Sequence, residues 1–120
     1  MAHGPRFEKL ASEAKSRIRE INASDAAALL SRGAALIDVR EKDEFDKEHA
    51  TESLHLSKGV VELKIEQQVP NPETEIICYC GGGSRSALVA DSLQRMGYTH
   101  VYSLAGGFKS WKAAGLPTES

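Results

Sequence analysis

Cys80 is followed by Gly81-Gly82-Gly83-Ser84-Arg85-Ser86, a run of residue types that can do chemistry. The apolar stretch Ile76-Ile77-Cys78-Tyr79 before it reads as a buried strand, and Ala87 to Met96 after it reads as an amphipathic helix. A cysteine therefore stands where a strand ends and a helix begins. Glycines let the backbone curl until successive N–H groups point inward. The opening turn of the helix adds unpaired N–H groups and the positive end of its dipole. Anions bind well at such a junction, and a thiolate is favoured there over a thiol. Arg85 adds a fixed positive charge and a fork of donors. The loop suits an anionic sulfur, or an anionic group attached to it. The plainer alternative is a tight strand-to-helix turn around a buried cysteine.

Cys78 is the only other cysteine. A disulfide between the two would close a very small loop within a strand, which the geometry disfavours. The four histidines are scattered, so the pair does not read as a zinc site either. Cys78 is expected to be a small apolar residue of the strand; the sharper alternative is that it resolves an oxidised Cys80. The remaining composition excludes more than it assigns. The 120 residues suffice for one domain with a core. A net charge of −2 does not by its total imply a basic surface for nucleic acid. No apolar stretch approaches a membrane span, and the N-terminus lacks the apolar centre of a signal peptide. Neither a nucleic acid nor a membrane is expected as a partner, and a cytoplasmic location is the default.

The elements that must hold the loop follow from pattern. Phe7, Leu10, Ala11, Ala14 and Ile18 fall at helical spacing in a charged segment, which predicts a peripheral helix or a loosely attached arm. Ile21-Asn22-Ala23 is expected as a short strand. Ser24 then suits a helix N-cap, Asp25 the first turn, and Gly33 the stop. Ala34 to Val39 reads as a buried parallel strand, with Asp38 and Arg40 at its C-terminal end, where open α/β sheets face their ligands. A short helix at Asp43 to Glu48 with Phe45 in the core, a short strand at Leu54-His55-Leu56 and a helix from Val60 to Val69 come next. Pro70 ends that helix. Gly97 ends the helix after the loop, His100 to Ser103 supplies another strand, and Gly106-Gly107 opens a last helix with Phe108 and Trp111 on its core face. Strands alternating with helices give a parallel sheet covered on both faces, with the site at the strand C-termini.

In this frame Cys80, Gly83, Arg85 and Ser86 fit the pattern Cys-x-x-Gly-x-Arg-Ser, and the chain resembles the rhodanese family of single-domain sulfurtransferases. Leu36-Ile37-Asp38-Val39-Arg40 with Glu44-Phe45, and Leu104-Ala105-Gly106-Gly107-Phe108-Lys109-Ser110-Trp111, are similar to that family too, in its order and spacing. The resemblance spans roughly residues 18–117. It implies a three-layer α/β fold with a central parallel sheet of about five strands, a domain over residues 18–120 and an N-terminal helical extension at 1–17. His49-Ala50-Thr51-Glu52-Ser53 departs from the family's His-Ile-x-Gly-Ala. Glu52 is expected to carry strain if the missing glycine needs a positive φ. His49 is read as structural, since an ionised thiol needs no general base.

The resemblance also implies an activity. Cys80 would take a sulfane sulfur from a donor, thiosulfate or a small-molecule or protein persulfide, and hold it as a persulfide. It would then pass the sulfur to a thiophilic acceptor: cyanide, a small thiol or a thioredoxin-like protein. Gly81, Gly82, Gly83, Ser84, Arg85 and Ser86 would cradle the sulfur anion, and Asp38, Arg40 and Glu44 would support the loop. No metal or organic cofactor is required. Because Gly81 and Gly82 carry no charge, and Glu44 can face the pocket, weak thiosulfate binding is expected. Two other classes stay open: a binding or sulfur-carrier module without catalysis, and a phosphatase- or arsenate-reductase-like enzyme. The latter families place five residues between Cys and Arg, whereas four intervene here, Gly81 to Ser84.

Overall fold

Period-two burial within short apolar runs builds the centre of this protein. In β5 (Ile76–Tyr79) every residue is buried, yet successive side chains serve different cores. Ile76 and Cys78 join one cluster with Val89, Leu93 and Val101, and Ile77 and Tyr79 join the other with Leu104, Phe108 and Trp111. A strand apolar on both sides must lie mid-sheet beneath two helical layers.

The computed structural model describes residues 3–120. In chain order its elements are α1 (Pro5–Lys15), β1 (Arg19–Ile21), α2 (Ala23–Ser31), β2 (Ala35–Asp38), α3 (Lys42–Lys47), β3 (His49–Ala50), β4 (Leu54–His55), α4 (Val61–Gln68), β5, α5 (Ser84–Arg95), β6 (Val101–Leu104), α6 (Gly107–Ala113) and β7 (Thr118–Glu119). The main sheet has five parallel strands in the order β1-β6-β5-β2-β4. β3 and β7 form a separate antiparallel pair, which the sequence pattern did not signal. Among the described residues no helix is long and apolar enough to cross a membrane.

Four local expectations need correction. The N-cap of α2 is Asn22, not Ser24: Asn22 is extended and its Oδ1 accepts the Asp25 N–H at 2.8 Å, which leaves Ser24 inside the first turn. The preceding strand accordingly ends at Ile21. Phe45 is half-buried rather than core; it stacks on the His49 ring at 3.7 Å and lies 4.8 Å from the His55 ring. The helix after the loop begins at Ser84, so Ser84, Arg85 and Ser86 form its first turn.

α1 packs along α5 through Ala11 and Ala14, whose small side chains allow close approach. Leu10, at the same helical spacing, is left 51% exposed. Just past α1, Arg17 grips Asp91 of α5 with two hydrogen bonds of 2.8 and 3.1 Å. Glu52 has φ 67, the only positive φ among described non-glycine residues.

Candidate active site

The loop after β5 turns back on the Cys80 sulfur and meets it from two positions. Gly83 has φ 110, a conformation that glycine adopts without steric cost, and this turns the chain into α5. The Gly83 N–H then donates to Cys80 Sγ at 3.1 Å. Ser86, in the first turn of α5, brings its Oγ to 3.5 Å from the same sulfur. Ser86 shares a 2.8 Å hydrogen bond with Ser103 of β6, and both hydroxyls are fully buried. Cys80 itself is only 1% exposed. Gly81 and Gly82, the next two residues, line an open cleft of about 780 Å³. Ser103 escaped the sequence reading, although a serine at an inward position of a buried strand is a signal that a polar partner awaits it.

A second glycine junction holds the loop from outside. The Phe108 N–H donates to the Cys80 carbonyl at 2.7 Å, and the Lys109 N–H lies 3.5 Å from the Gly81 carbonyl. Only glycine permits this approach at residue 107. A Cβ there would run into the Cys80 carbonyl oxygen and come within 2.7 Å of Gly81, and its φ of 57 adds strain. The run Gly106-Gly107-Phe108, read from sequence as a helix start and a core aromatic, is thus also the buttress of the cysteine loop.

The supporting residues divide by what they touch. Glu44 reaches Arg85 with two parallel hydrogen bonds of 2.8 and 3.1 Å and also accepts the Glu41 N–H, which ties the start of α3 to the first turn of α5. The Arg85 hydrogen bonds hold the Glu44 carboxyl below its ordinary range, against the opposing effect of burial, and Glu44 in turn raises the Arg85 guanidinium. Asp38 and Arg40 form a buried pair with contacts of 2.8 to 3.1 Å, and Arg40 also donates to the Glu48 carbonyl at 2.7 Å. Burial disfavours the Arg40 charge, but the bonds to Asp38 help to raise its pKa overall. The Arg40 guanidinium lies 4.5 Å over the Phe108 ring. This pair therefore meets the cysteine loop at one remove, through Phe108.

His49 takes no part in the cleft. Its Nδ1 lies 2.7 Å from the Phe45 carbonyl and its ring stacks on Phe45. Cys78 is sealed within β5, and burial pushes its thiol up to about 12.

The cleft gathers residues that no local pattern associates with the loop. α6 contributes Lys109 and Lys112, and α1 contributes Phe7 together with the nearby His3. The Gly81 and Gly82 positions are uncharged as expected, but cations reach the cleft from α6. Lys112 is paired with Glu48 at 2.7 Å. Among the described residues no carboxylate pairs with Lys109.

The model of the rhodanese-like domain matches residues 22–114 of this chain. The protein belongs to the rhodanese-like family. Thiosulfate sulfurtransferase GlpE of Coxiella burnetii is 38% identical over 82 residues, 68% of this chain and 75% of the relative. A structure from Rhodopseudomonas palustris, described as of unknown function and a possible tyrosine phosphatase, superposes with a TM-score of 0.82 at 32% identity over 99% of this chain and 96% of that one. The homodimeric polysulfide-sulfur transferase of Wolinella succinogenes gives a TM-score of 0.82 at 28% identity, covering 95% and 87%. The rhodanese-like family thus includes named sulfurtransferases among these relatives. The R. palustris match extends over α1, which lies outside the residues matched by the family model.

Proposed function

We propose that this rhodanese-like protein is a sulfurtransferase that carries sulfane sulfur on Cys80. The observation that carries this reading is the Cys80 sulfur at the start of α5, accepting the Gly83 N–H at 3.1 Å with the Ser86 hydroxyl at 3.5 Å. In the first half-reaction the Cys80 thiolate attacks the outer sulfur of the donor. A bond forms between Sγ and that sulfur, the donor's own bond to it breaks, and the electron pair leaves on sulfite or on a thiolate. In the second, an acceptor thiolate or cyanide attacks the outer sulfur, and the Sγ–S bond breaks to restore the Cys80 thiolate. Charge is conserved in each step, and ping-pong kinetics follow from the stored intermediate.

Within this scheme Gly81 through Ser86 supply the cradle, with backbone N–H groups facing the terminal sulfur anion and the Ser84 and Ser86 hydroxyls in reach. Arg85, tied to Glu44, holds the shape of the loop. Asp38 and Arg40 hold Phe108 against it. Residues 1–17, of which 1 and 2 lie outside the described residues, make a helical extension to a domain at 18–120. Donors are thiosulfate or a persulfide, and acceptors are cyanide, a small thiol or a thioredoxin-like protein thiol, in the cytoplasm.

The description of the R. palustris structure favours a second reading, phosphate-ester hydrolysis. The four-residue interval from Cys80 to Arg85 and the 1% exposure of Cys80 count against it. A terminal sulfur on a thin S–S stem suits so tight a loop better than a tetrahedral phosphate does. Intact-mass measurement after incubation with thiosulfate or glutathione persulfide tests the proposal. One sulfur atom is expected to be gained, removed by cyanide or thiol, and absent in Cys80→Ala. No gain from either donor would sink it in favour of a binding module, and turnover of an aryl phosphate would favour the phosphatase.

A further inference from the structure

The cleft above the Cys80 loop is far larger than thiosulfate needs. Its volume of about 780 Å³ falls in the range of pockets that hold substrates of roughly 300–1,000 Å³, whereas thiosulfate is only a handful of heavy atoms. Its walls are of two kinds. One is apolar: Phe7, half-buried on α1 and in ring contact with His3 at 4.8 Å, lines the same cleft as Phe108 of α6. The other is charged, and its balance is informative. Arg85 is matched by Glu44, Arg40 by Asp38 and Lys112 by Glu48. Lys109, exposed on α6, has no such partner among the described residues, so the wall keeps one cation's worth of unneutralised charge. A ligand that fits has an apolar or peptide-like body and an anionic group, with a slender sulfur end that passes Gly81 and Gly82 to reach Cys80.

We propose that α1 is a wall of the substrate cleft, and that Phe7 and Lys109 select an anionic organic persulfide, a small thiol bearing a carboxylate, as the sulfur donor. This inference rests on the sulfur-transfer reading of Cys80 and names its donor class. The transfer balances as Cys80–S⁻ plus R–S–SH giving Cys80–S–SH plus R–S⁻. The Sγ–S bond forms, the donor S–S bond breaks, and its electron pair leaves on the small thiolate. Phe7 packs against the body of R, and Lys109 pairs with its carboxylate.

The test measures second-order rates of Cys80 persulfidation by rapid quench and intact mass on the full chain, with three donors: glutathione persulfide, 2-hydroxyethyl persulfide and thiosulfate. In Phe7→Ala the ratio of the glutathione persulfide rate to the thiosulfate rate is expected to fall about tenfold. In Lys109→Gln the ratio of the glutathione persulfide rate to the 2-hydroxyethyl persulfide rate is expected to fall by about the same factor, and Lys109→Arg restores it. Parallel loss on all donors in both variants would reduce α1 and Lys109 to supports of the fold and overturn the proposal. Unchanged ratios would overturn it equally. Calorimetric titration with S-methylglutathione, which has no sulfur to transfer, separates the two readings. Binding that weakens in Phe7→Ala and Lys109→Gln while wild type is loaded by no donor would support the cleft assignment and overturn sulfur transfer alone. Loading of wild type with unchanged ratios and no S-methylglutathione binding would do the reverse.

Discussion

Cys78 and Cys80 lie two residues apart, both essentially hidden from solvent, and their surroundings make them opposites. Cys78 is inside β5, paired in register with Ile37 and Ser103, among apolar side chains that push its thiol up to about 12. Cys80 has passed the end of the strand and lies where the backbone turns, with the Gly83 N–H and the Ser86 hydroxyl on its sulfur. The difference lies not in burial but in what replaces water around the sulfur. A strand interior spends its N–H groups on the sheet, while a glycine turn leading into a helix leaves them free to face a side chain.

The largest expected effect tests this contrast directly. Cys80→Ala should abolish sulfur loading, whereas Cys78→Ala should keep its rate within about twofold and cost about 1 kcal/mol of stability from lost packing. Peptide mapping after mild peroxide should find no Cys78–Cys80 disulfide, since Cys78 stays protonated near neutral pH. A rate lost in Cys78→Ala, or such a disulfide, would erase the distinction between the two regions.

Gly107→Ala comes next. The added Cβ meets the Cys80 and Gly81 carbonyls, so α6 must retreat from the loop. Denaturant unfolding should show a loss of about 2 kcal/mol or more, with sulfur loading falling faster than the folded fraction. A variant as stable and active as wild type would show that the loop keeps its shape without α6.

The clamp on the loop should also be acid-sensitive in a particular direction. The Glu44 carboxyl is lowered from 4.5, first by its hydrogen bonds to Arg85. Its contribution to stability is therefore fully present above that ordinary value and is lost as pH falls through the lower folded value. The pair is partly exposed, so solvent screens it and the effect is small. Glu44→Gln should flatten the stability curve on the acid side of 4.5, read from denaturant midpoints across a pH series. An equally steep acid loss in the variant would remove Glu44 from the account.

The smallest effect lies far from sulfur. Glu52→Gly relieves a φ of 67 and should gain up to about 1 kcal/mol, seen as a higher melting temperature with unchanged loading rates. A lower melting temperature would show that the extra freedom glycine gives the unfolded chain outweighs the relieved strain.

Residues close in the chain made much of this legible in advance. The apolar run of β5, the glycine turn at residue 83 and the start of α5 interact over a few positions, and the polypeptide alone dictates their geometry. The same locality misled at Ser24, where Asn22 two residues earlier won the cap, and at Phe45, whose apolar character suggested a core although its ring is held between two histidines.

Sequence by itself determined the cysteine at the junction of a buried strand and a helix, and the alternation that makes a covered parallel sheet. Tertiary structure alone decided that Ser103 supports Ser86 from 17 residues away and that Gly107 lets α6 close on the loop, and it chose Arg85 as the partner of Glu44. It also decided that Phe7 and Lys109, from opposite ends of the chain, share one cleft. Local preferences fix how each segment turns; which side chains then meet depends on how the layers stack, and that information resides in the packing of all segments together.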